Sequence, residues 1–381
     1  MFSSEAFDIE VSSKELASCL SAVTAVIEKR NVEQTLSCVK LFVSEDKLCI
    51  EATDGSIFIR QFLGAKIQNE SLSLIVEGRI LERMIRGLAD EFIRILYIPE
   101  SNELLLSSIS FELRLIALSP NSFPTFPVIT SPVSFEILSS DLFDLINCTD
   151  FSLSKDEIRY NINGIYIYGA NNQIHAASTD NFRLSAFNLE SKGVHNNFAM
   201  ILPTKTVSFL KNLSSASSGQ EILKVTLHHN IVQFSSPKMC IVSKLIDGSF
   251  PEYTSIIPKN NDNKLVIQKS HLASAIERIA FITDENSRAV KMSISEKEVE
   301  ISAYTHSKGK AKQVIEHKFF KYKGEPLTIA FQPRYILDIL SLIKQADAKV
   351  TIDLKSSSLP VLITSDQLPR CLFVIMLIKI T

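Results

Sequence analysis

The sequence predicts an α+β fold made of three tandem copies of one domain, and two observations carry this prediction. Similar segments open at Arg30, Arg159 and Arg288: Arg159 follows Arg30 by 129 residues, and Arg288 follows Arg159 by the same interval. A period of this length is a whole small domain, well above the roughly 20–50 residues of a solenoid repeat. In addition, helix-like stripes and short alternating runs recur in each copy. We therefore expect two helices packed on antiparallel sheets in each domain.

The first helix of each copy is predicted from an apolar stripe at helical spacing. In the first copy it begins at Ser12, where Ser12-x-x-Glu15 is typical of a capping box, and Leu16, Leu20, Val23 and Ile27 form the stripe. Its counterparts are residues 140–148 and residues 270–281.

A second helix is predicted in the middle of each copy. The three candidates are residues 78–88, 203–213 and 333–344. Pro203 and Pro333 suit a first helical turn, where a missing N–H removes no helical hydrogen bond.

Short alternating runs between these helices predict antiparallel strands. Examples are residues 164–169, 224–227 and 349–354. Proline-containing connectors close the first two copies at residues 121–127 and 247–253, and a polar segment at 258–263 is typical of a linker. These signals place the three domains at residues 1–131, 132–261 and 262–381.

Composition indicates an ordinary globular protein. The chain has 381 residues, of which 45% are apolar and 22% charged, and a net charge of −2, which indicates no particular partner. Nucleic-acid binding would need basic residues concentrated on one surface. Six cysteines without a C-x-x-C pair, and no signal peptide, predict reduced thiols in a cytoplasmic protein. The apolar run at 371–378 is half the roughly 20 residues of a membrane span, so we expect a buried C-terminal strand.

Motifs for catalysis or cofactor binding are missing from the sequence. It has no phosphate-binding glycine loop, no H-E-x-x-H and no G-x-S-x-G. His228 and His229 are neighbours on a predicted strand, so they should point to opposite faces and make a poor metal pair. Thr53-Asp54 and Thr179-Asp180 are interpreted as turns in which the carboxylate accepts backbone N–H groups. We therefore expect that the protein is not an enzyme and binds no cofactor. The alternative is a hydrolase that uses Asp54 or Asp180.

Several longer motifs resemble one family along the whole chain. They are Arg-Tyr-Asn-Ile-Asn-Gly at 159–164, Ala-Ser-Thr-Asp with Arg-Leu at 177–184, Leu-Ile-Asp-Gly-Ser-Phe-Pro-Glu-Tyr at 245–253, Tyr-Ile-Leu-Asp at 335–338 and Val-Ile-Met at 374–376. The sequence thereby resembles the bacterial DNA sliding clamps, the β subunits of the replicative DNA polymerase III. The resemblance implies three clamp domains per chain and a homodimeric ring that encircles duplex DNA, with helices lining the hole. It also implies a tether for the polymerase with no catalytic chemistry.

A ring that slides on DNA must attract phosphates without reading bases. Arg79, Arg83 and Arg86 are predicted to form a basic stripe on the second helix, opposite Leu81, Met84, Ile85 and Leu88; a merely solvated helix face is the alternative. The resemblance adds the loop positions Arg30 and Tyr160, while Asn161 replaces a second tyrosine. The predicted DNA-binding residues are Arg30, Arg79, Arg83, Arg86, Lys155, Tyr160 and Lys205.

Clamp partners, among them a polymerase subunit and the clamp loader, carry short linear peptides that need a shallow apolar groove. The resemblance implies a groove between the second and third copies. Its predicted residues are Ile162, Thr179, Arg183, Leu184, Pro251, Ile256, Tyr335, Pro360, Val374, Met376 and Ile378. Three departures from the family pattern, Asn181-Phe182 for Gly-His, Ser287 for a larger residue and Leu377 for proline, suggest a shifted peptide preference.

The dimer seam is predicted from an alternating edge at residues 110–115, with Phe111 and Leu113 on one side. Phe281 and Ile282 match the family's seam positions on the third domain. An exposed apolar edge favours pairing, so we expect a homodimer. Because the basic stripes of the later copies are weak, a clamp-fold interaction scaffold that is not loaded on DNA is the alternative function.

Overall fold

The computed structural model describes residues 8–28, 33–69, 73–129, 133–156, 158–191, 197–214, 219–283 and 289–379. Arg30, Ser287 and Arg288 lie outside these residues. The described chain forms two compact units: unit 1 comprises residues 1–140 and 208–245, and unit 2 comprises residues 141–207 and 246–381.

Six helices lie in the described residues, two in each sequence copy. They are α1 (Ser13–Thr24), α2 (Gly78–Ile85), α3 (Ser139–Thr149), α4 (Thr204–Ser214), α5 (Lys269–Ala280) and α6 (Pro333–Leu342).

The strands follow the same threefold pattern. The first copy has β1 (Asp8–Ser12), β2 (Cys38–Ser44), β3 (Lys47–Thr53), β4 (Ile57–Gly64), β5 (Lys66–Asn69), β6 (Leu74–Glu77), β7 (Phe92–Ile98), β8 (Glu103–Ser107) and β9 (Glu112–Ile116). The second has β10 (Val133–Leu138), β11 (Gly164–Ala170), β12 (Gln173–Thr179), β13 (Arg183–Glu190), β14 (Phe198–Pro203), β15 (Ile222–His228), β16 (Ile231–Ser235) and β17 (Met239–Lys244). The third has β18 (Asn263–Gln268), β19 (Val290–Ile294), β20 (Val299–Thr305), β21 (Gly309–Ile315), β22 (Phe320–Lys323), β23 (Leu327–Phe331), β24 (Lys349–Leu354), β25 (Val361–Ser365) and β26 (Cys371–Ile375).

All strand pairs in the described residues are antiparallel. Unit 1 contains a five-stranded sheet in the order β5-β1-β7-β8-β9 and an eight-stranded sheet in the order β10-β15-β16-β17-β4-β3-β2-β6. Unit 2 contains a nine-stranded sheet in the order β14-β11-β12-β13-β26-β25-β24-β18-β22 and a four-stranded sheet in the order β21-β20-β19-β23. Each large sheet joins strands of two copies, through β17–β4 in unit 1 and β13–β26 in unit 2.

The helix predictions are largely confirmed. The stripe residues Leu16, Leu20, Val23 and Ile27 are all buried, and so are Leu272, Ile276 and Ile279 of α5. Apolar residues at helical spacing therefore face the cores, as the pattern predicted. Pro333 occupies the first turn of α6.

Three local predictions about helix ends are wrong. Ser12 is the N-cap of α1, but its side chain makes no capping hydrogen bond, so no capping box forms. Pro203 ends β14 instead of starting α4. Helix α2 ends at Ile85, because Arg86 is extended and Gly87 adopts a φ of +81°, a left-handed conformation that glycine takes readily.

The cysteine prediction is wrong for one pair. A disulfide joins Cys148, in α3, to Cys371, the first residue of β26, and their Cα atoms lie 6.6 Å apart. Cys19, Cys38, Cys49 and Cys240 are free thiols. The cysteines lie 223 residues apart in sequence, so the lack of a C-x-x-C spacing could not exclude their pairing.

The C-terminal run forms a strand, as predicted, but only as far as Ile375. Strand β26 lies between β13 and β25, and its side chains Phe373, Val374 and Ile375 are buried. In the described part of the chain, no helix has the length and apolar character needed to cross a membrane.

Candidate interaction sites

A buried apolar cluster lies on one face of the nine-stranded sheet. Leu184 of β13 stands opposite Val374 of β26, and Ala186 stands opposite Ala177 of β12. Because alternate residues of a strand point to the same face, these side chains converge and pack with Tyr253. The cluster forms an apolar floor made of strands from the second and third sequence copies.

Exposed apolar side chains belong to the segments around this floor. Phe182 is 61% exposed, Ile256 43% and Met376 40%. The Met376 N–H donates to the Phe182 carbonyl oxygen at 2.8 Å, so the chain leaving β26 runs beside the turn before β13. The Ile378 N–H then donates to the Ala330 carbonyl oxygen at 2.8 Å, which ties the C-terminal residues to β23.

The eleven predicted groove residues separate into two groups in the structure. The buried group consists of Ile162, Thr179, Arg183, Leu184 and Val374. The exposed or half-buried group consists of Pro251, Ile256, Tyr335, Pro360, Met376 and Ile378. Residues of the first group thus support the surface, and those of the second are accessible to a ligand. Phe182, which was not among the eleven, is more exposed than Ile256 or Met376; its departure from the family pattern was the available signal.

The turn before β13 is built by Thr179 and Asp180. The Thr179 hydroxyl donates to the Arg183 carbonyl oxygen at 2.7 Å, and Asp180 Oδ1 accepts the N–H groups of Phe182 and Arg183, both at 3.0 Å. These bonds confirm the turn interpretation: this carboxylate is occupied by backbone donors. Asn181 has a φ of +73°, which asparagine tolerates better than most residues.

The first copy contains the same turn at the matching place. Thr53 Oγ1 donates to the Ile57 carbonyl oxygen at 2.8 Å, and Asp54 Oδ1 accepts the N–H groups of Ser56 at 2.8 Å and Ile57 at 2.7 Å. Gly55, with a φ of +86°, takes the place that Asn181 has in the second copy. The repeated Thr-Asp pair therefore has a structural role in both copies.

Arg183 lies beneath the floor and is engaged on every side. Its Nε donates to Asp180 Oδ2 at 2.9 Å, its Nη1 donates to Asp338 Oδ2 at 2.6 Å, and its Nη2 donates to the Phe151 carbonyl oxygen. The guanidinium carbon lies 4.7 Å from the ring centroid of Tyr335, a distance typical of a cation–π contact. Arg183 thereby connects the turn before β13 with helix α6, which carries Tyr335.

The predicted arginine stripe on α2 forms only in part. The Arg79 guanidinium donates to the Ile27 carbonyl oxygen, and Arg86 lies beyond the helix, where its Nε donates to Glu82 Oε1 at 2.8 Å. Met84, predicted on the apolar side, is 43% exposed. Helix α2 ends at Ile85, but the Arg86 N–H still donates to the Glu82 carbonyl oxygen, and the side chains of Arg83 and Arg86 are both exposed.

The other predicted DNA-binding residues are on the surface where the structure describes them. Lys155 and Lys205 are exposed, and Tyr160 is 60% exposed in a 3-10 turn at Tyr160–Ile162. Arg30 lies outside the described residues.

The predicted seam residues lie at sheet and helix ends. Strand β9 is at the edge of the five-stranded sheet, with Leu113 half-buried on one side and Glu112 and Arg114 exposed on the other. Phe111, just before β9, is half-buried as well. At the end of α5, Phe281 is 81% exposed and Ile282 is half-buried. Strand β21 is an edge of the four-stranded sheet.

Side chains suited to metal binding do not cluster in the described part of the chain, where no group of three or more histidine, cysteine, aspartate or glutamate residues is placed to hold an ion. The geometry predicted for His228 and His229 is wrong, since the rings contact each other with centroids 4.3 Å apart. The reason is that β15 ends at His228 and His229 adopts a φ of +49° in the following turn.

Known proteins match this chain along almost its entire length. Models of the DNA polymerase III beta subunit match the chain in order, the N-terminal domain at residues 7–127, the central domain at 136–252 and the C-terminal domain at 254–379. The chain is 34% identical over 378 residues to the beta sliding clamp of Rickettsia bellii, covering 97% of this chain and 99% of that protein. It is 28% identical to the beta sliding clamp of Caulobacter vibrioides, covering 88% and 90%.

A solved structure of similar fold is that of a DnaN sliding clamp (DNA polymerase III subunit beta) from Bartonella birtlesii bound to griselimycin. The two chains superimpose with a TM-score of 0.90 at 26% sequence identity, covering 98% of this chain and all of that one.

Proposed function

Because this chain belongs to the DNA polymerase III β subunit family, the bacterial sliding clamps, we propose that it is the processivity factor of a replicative DNA polymerase. Two copies close into a ring around duplex DNA and slide along it without reading its sequence. The ring tethers the polymerase and other partners, catalyses no reaction itself and works in the cytoplasm, where the chromosome is copied.

The observation that carries this proposal is the presence of three clamp domains, matched in order from residue 7 to residue 379. Three domains in each of two chains supply the six domains of the ring that the resemblance implies. We propose domain boundaries near residues 131 and 262. The first lies between the segments matched by the N-terminal and central domains, and the second lies near the start of the segment matched by the C-terminal domain.

We propose that partner peptides bind over the apolar floor of Leu184 and Val374. The exposed residues Pro251, Ile256, Tyr335, Pro360, Met376 and Ile378 contact the peptide, together with Phe182. Ile162, Thr179 and Arg183 support them from below. An apolar floor with an exposed apolar rim suits aliphatic and aromatic anchor side chains. Removing such a surface from water lowers the free energy of the complex and therefore favours binding.

We propose that the ring closes where β9 of one chain meets β21 of its partner. Both are edge strands, and each presents charges on its exposed side, Glu112 and Arg114 on β9 and Lys310 and Lys312 on β21. Unpaired edges present free N–H and C=O groups that pair readily with another strand. The exposed Phe281 ring would then be buried against Phe111 and Leu113 of the partner.

For DNA, we propose that Arg83, Lys155, Tyr160 and Lys205 contact the phosphate backbone, with Arg30 and the more engaged Arg79 and Arg86 in supporting positions. The small number of exposed cations on one helix is consistent with a weak, non-specific contact with phosphates. Sliding along DNA requires a contact of this kind. The same observation also favours a second candidate, a clamp-fold scaffold that is not loaded on DNA, because Arg79 and Arg86 both form side-chain bonds within the chain.

The tethering function is tested by primer extension on a long single-stranded template, with the clamp loader and replicative polymerase of the same organism and an excess of trap DNA. We expect the chain to lengthen the products made in one binding event at least tenfold. Unchanged product length in the presence of a competent loader would contradict the proposal.

The groove is tested separately with griselimycin, the ligand named in the similar Bartonella birtlesii structure. We expect saturable binding by calorimetry to the wild-type chain. Met376→Asp places a charge on the proposed rim and should abolish binding, whereas Ile222→Asp, a change at an exposed apolar residue of β15 outside every proposed site, should not.

A further inference from the structure

The groove's rim includes a segment that has no strand structure of its own. Residues 247–256, here called the rim segment, follow β17 and contain a 3-10 turn at Tyr253–Ser255. The segment carries two exposed groove residues, Pro251 and Ile256. Without a sheet ladder to fix it, the position of these residues depends on the side chains that anchor the segment.

We infer that Phe250, Tyr253 and Asn161 are positioning residues, which fix the rim segment and thereby set the places of Pro251 and Ile256 in the groove. This inference rests on the proposed function of the groove. None of the three was predicted to contact a partner, and Asn161 stands where relatives can carry a second tyrosine.

The first anchor is an aromatic stack. The Phe250 ring lies parallel to the Tyr166 ring of β11, with centroids 5.0 Å apart and planes at 6°, and Tyr166 stacks in turn on Tyr168 at 5.2 Å. Stacked rings in a half-buried site combine burial of apolar area with a preferred geometry. Phe250 therefore fixes the side of the segment next to Pro251.

The second anchor is a pair of hydroxyl groups. Tyr253 is 6% exposed, and its hydroxyl oxygen lies 3.2 Å from that of Tyr168. Burial, followed by the hydrogen bond with Tyr168, raises the pKa of Tyr253, which keeps the phenol protonated and able to donate. A buried hydroxyl is unfavourable without a partner, so this pair sets how deeply Tyr253 sits against the sheet.

The third anchor comes from the loop that carries Tyr160. Asn161 Nδ2 donates to the Ser249 carbonyl oxygen at 2.9 Å. Gly248 lies close by with a φ of +133°, and a Cβ added there would be 3.6 Å from Tyr160 Cε2 and 3.7 Å from Asn161 Cβ. The loop proposed to touch DNA thus holds the start of the rim segment directly.

Single substitutions that remove one anchor each test the inference through griselimycin affinity. Tyr253→Phe and Asn161→Asp should each weaken binding about fivefold, the equivalent of one ordinary hydrogen bond. Phe250→Ala should weaken it about tenfold, and Phe250→Tyr, which keeps the stacked ring, should restore most of the affinity. None of these residues is exposed toward the ligand in the way that Ile256 or Met376 is. A loss of griselimycin affinity in these variants therefore reports a change in the position of the rim segment.

Matched controls exist in unit 1. Tyr97 is 2% exposed and donates its hydroxyl to Asn102 Oδ1 at 2.9 Å, and Asn102 Nδ2 donates to the Ala117 carbonyl oxygen at 2.7 Å. Tyr97→Phe and Asn102→Asp remove equivalent bonds far along the chain from the rim segment. They should lower the melting temperature about as much as the test variants, and leave the affinity unchanged.

Equal affinity losses in test and control variants, or full affinity in Phe250→Ala, would overturn the inference. Failure of the wild-type chain to bind griselimycin would instead count against the groove itself. A measurement without ligand separates the two cases: amide hydrogen exchange at residues 249–256 should speed up at least tenfold in Phe250→Ala and Asn161→Asp but not in the controls. Unchanged exchange there would refute the positioning role whatever the ligand does.

Discussion

Arg183 illustrates how a single residue connects two sequence copies. Its guanidinium bonds Asp180 in its own turn and Asp338 on helix α6, and it packs against the rings of Phe151 and Tyr335. With 8% exposure it supports the ring of Tyr335, a residue of the proposed groove. Arginine suits this place because its planar fork can donate to several acceptors at once while stacking on rings.

Arg183→Met should therefore lower both stability and affinity. We expect a loss of roughly 2–3 kcal/mol in the free energy of unfolding, less than for a fully buried pair because Asp338 keeps part of its contact with water. Urea denaturation measures this loss. Arg183→Lys should recover only part of it, since an ammonium group cannot reproduce the three directed bonds. A fully stable Arg183→Lys variant would contradict this role.

The contacts of a side chain could be predicted from the sequence only where its partners lie close to it along the chain. The Thr179-Asp180 turn involves residues within four positions, and its interpretation is confirmed. Arg79 bonds a carbonyl oxygen 52 residues away, so helical spacing alone could not reveal that its charge is engaged. Phe182 was recognised only as a departure from the family's sequence pattern. Its exposure could not be predicted, because it depends on the path of the C-terminal residues that follow β26.

Strand β26 connects the proposed groove to the rest of unit 2. It pairs with β13 and β25, carries Val374 in the floor, and is joined at its first residue to α3 by the Cys148–Cys371 disulfide. The neighbouring Arg370 forms an ion pair with Asp141, also on α3, at 2.6 Å. The disulfide and the ion pair thus hold the start of β26 to α3 at two places along the helix.

Reducing the disulfide should destabilise the oxidised protein by up to roughly 5 kcal/mol, because a bridge across a long loop removes much of the entropy of the unfolded chain. Thermal denaturation with and without dithiothreitol measures the effect, and Cys148→Ser should match the reduced wild type. Cys240→Ser, a change at a free thiol, should leave the reductant effect intact. Six titratable thiols in protein purified without reductant would contradict the bridge.

His175 on β12 provides a pH test of the aromatic stack. Its ring stacks on Tyr168 with centroids 4.6 Å apart, and partial burial lowers the pKa of His175 below the ordinary value. The unfolded chain then takes up a proton at higher pH than the folded one, so stability falls as the pH drops below about 6.5.

The expected result is that His175→Gln loses less stability than the wild type between pH 7 and pH 5 in urea denaturation. Parallel pH curves for His175→Gln and wild type would show that this histidine does not titrate differently on folding.

The whole chain combines a threefold sequence with two compact units. Each unit contains one copy and part of the middle one, because β17 pairs with β4 and β13 pairs with β26. The 129-residue period predicted the copies and their helices. The period could not predict which strands pair between copies. Such pairs join residues that are distant in sequence, more than 170 residues apart in the case of β17 and β4.

Dimer formation should depend on the apolar surface at the end of α5. Phe281→Ala combined with Ile282→Ala should weaken the dimer at least tenfold, because the variant buries less apolar area at the proposed seam. Light scattering over a dilution series measures the dissociation constant. Val128→Ala, at another exposed apolar residue, is the control. A monomeric wild type, or an unaffected double variant, would refute this seam.

The central claim, that two copies encircle DNA, is tested most directly by retention on nicked circular DNA after incubation with the clamp loader. We predict that the labelled chain stays on the circle during gel filtration at high salt and is released when a restriction enzyme linearises the DNA. Release from a closed topology distinguishes a ring from ordinary electrostatic binding, which salt would disrupt on either form. Equal retention on circular and linear DNA, or no retention with an active loader, would contradict it.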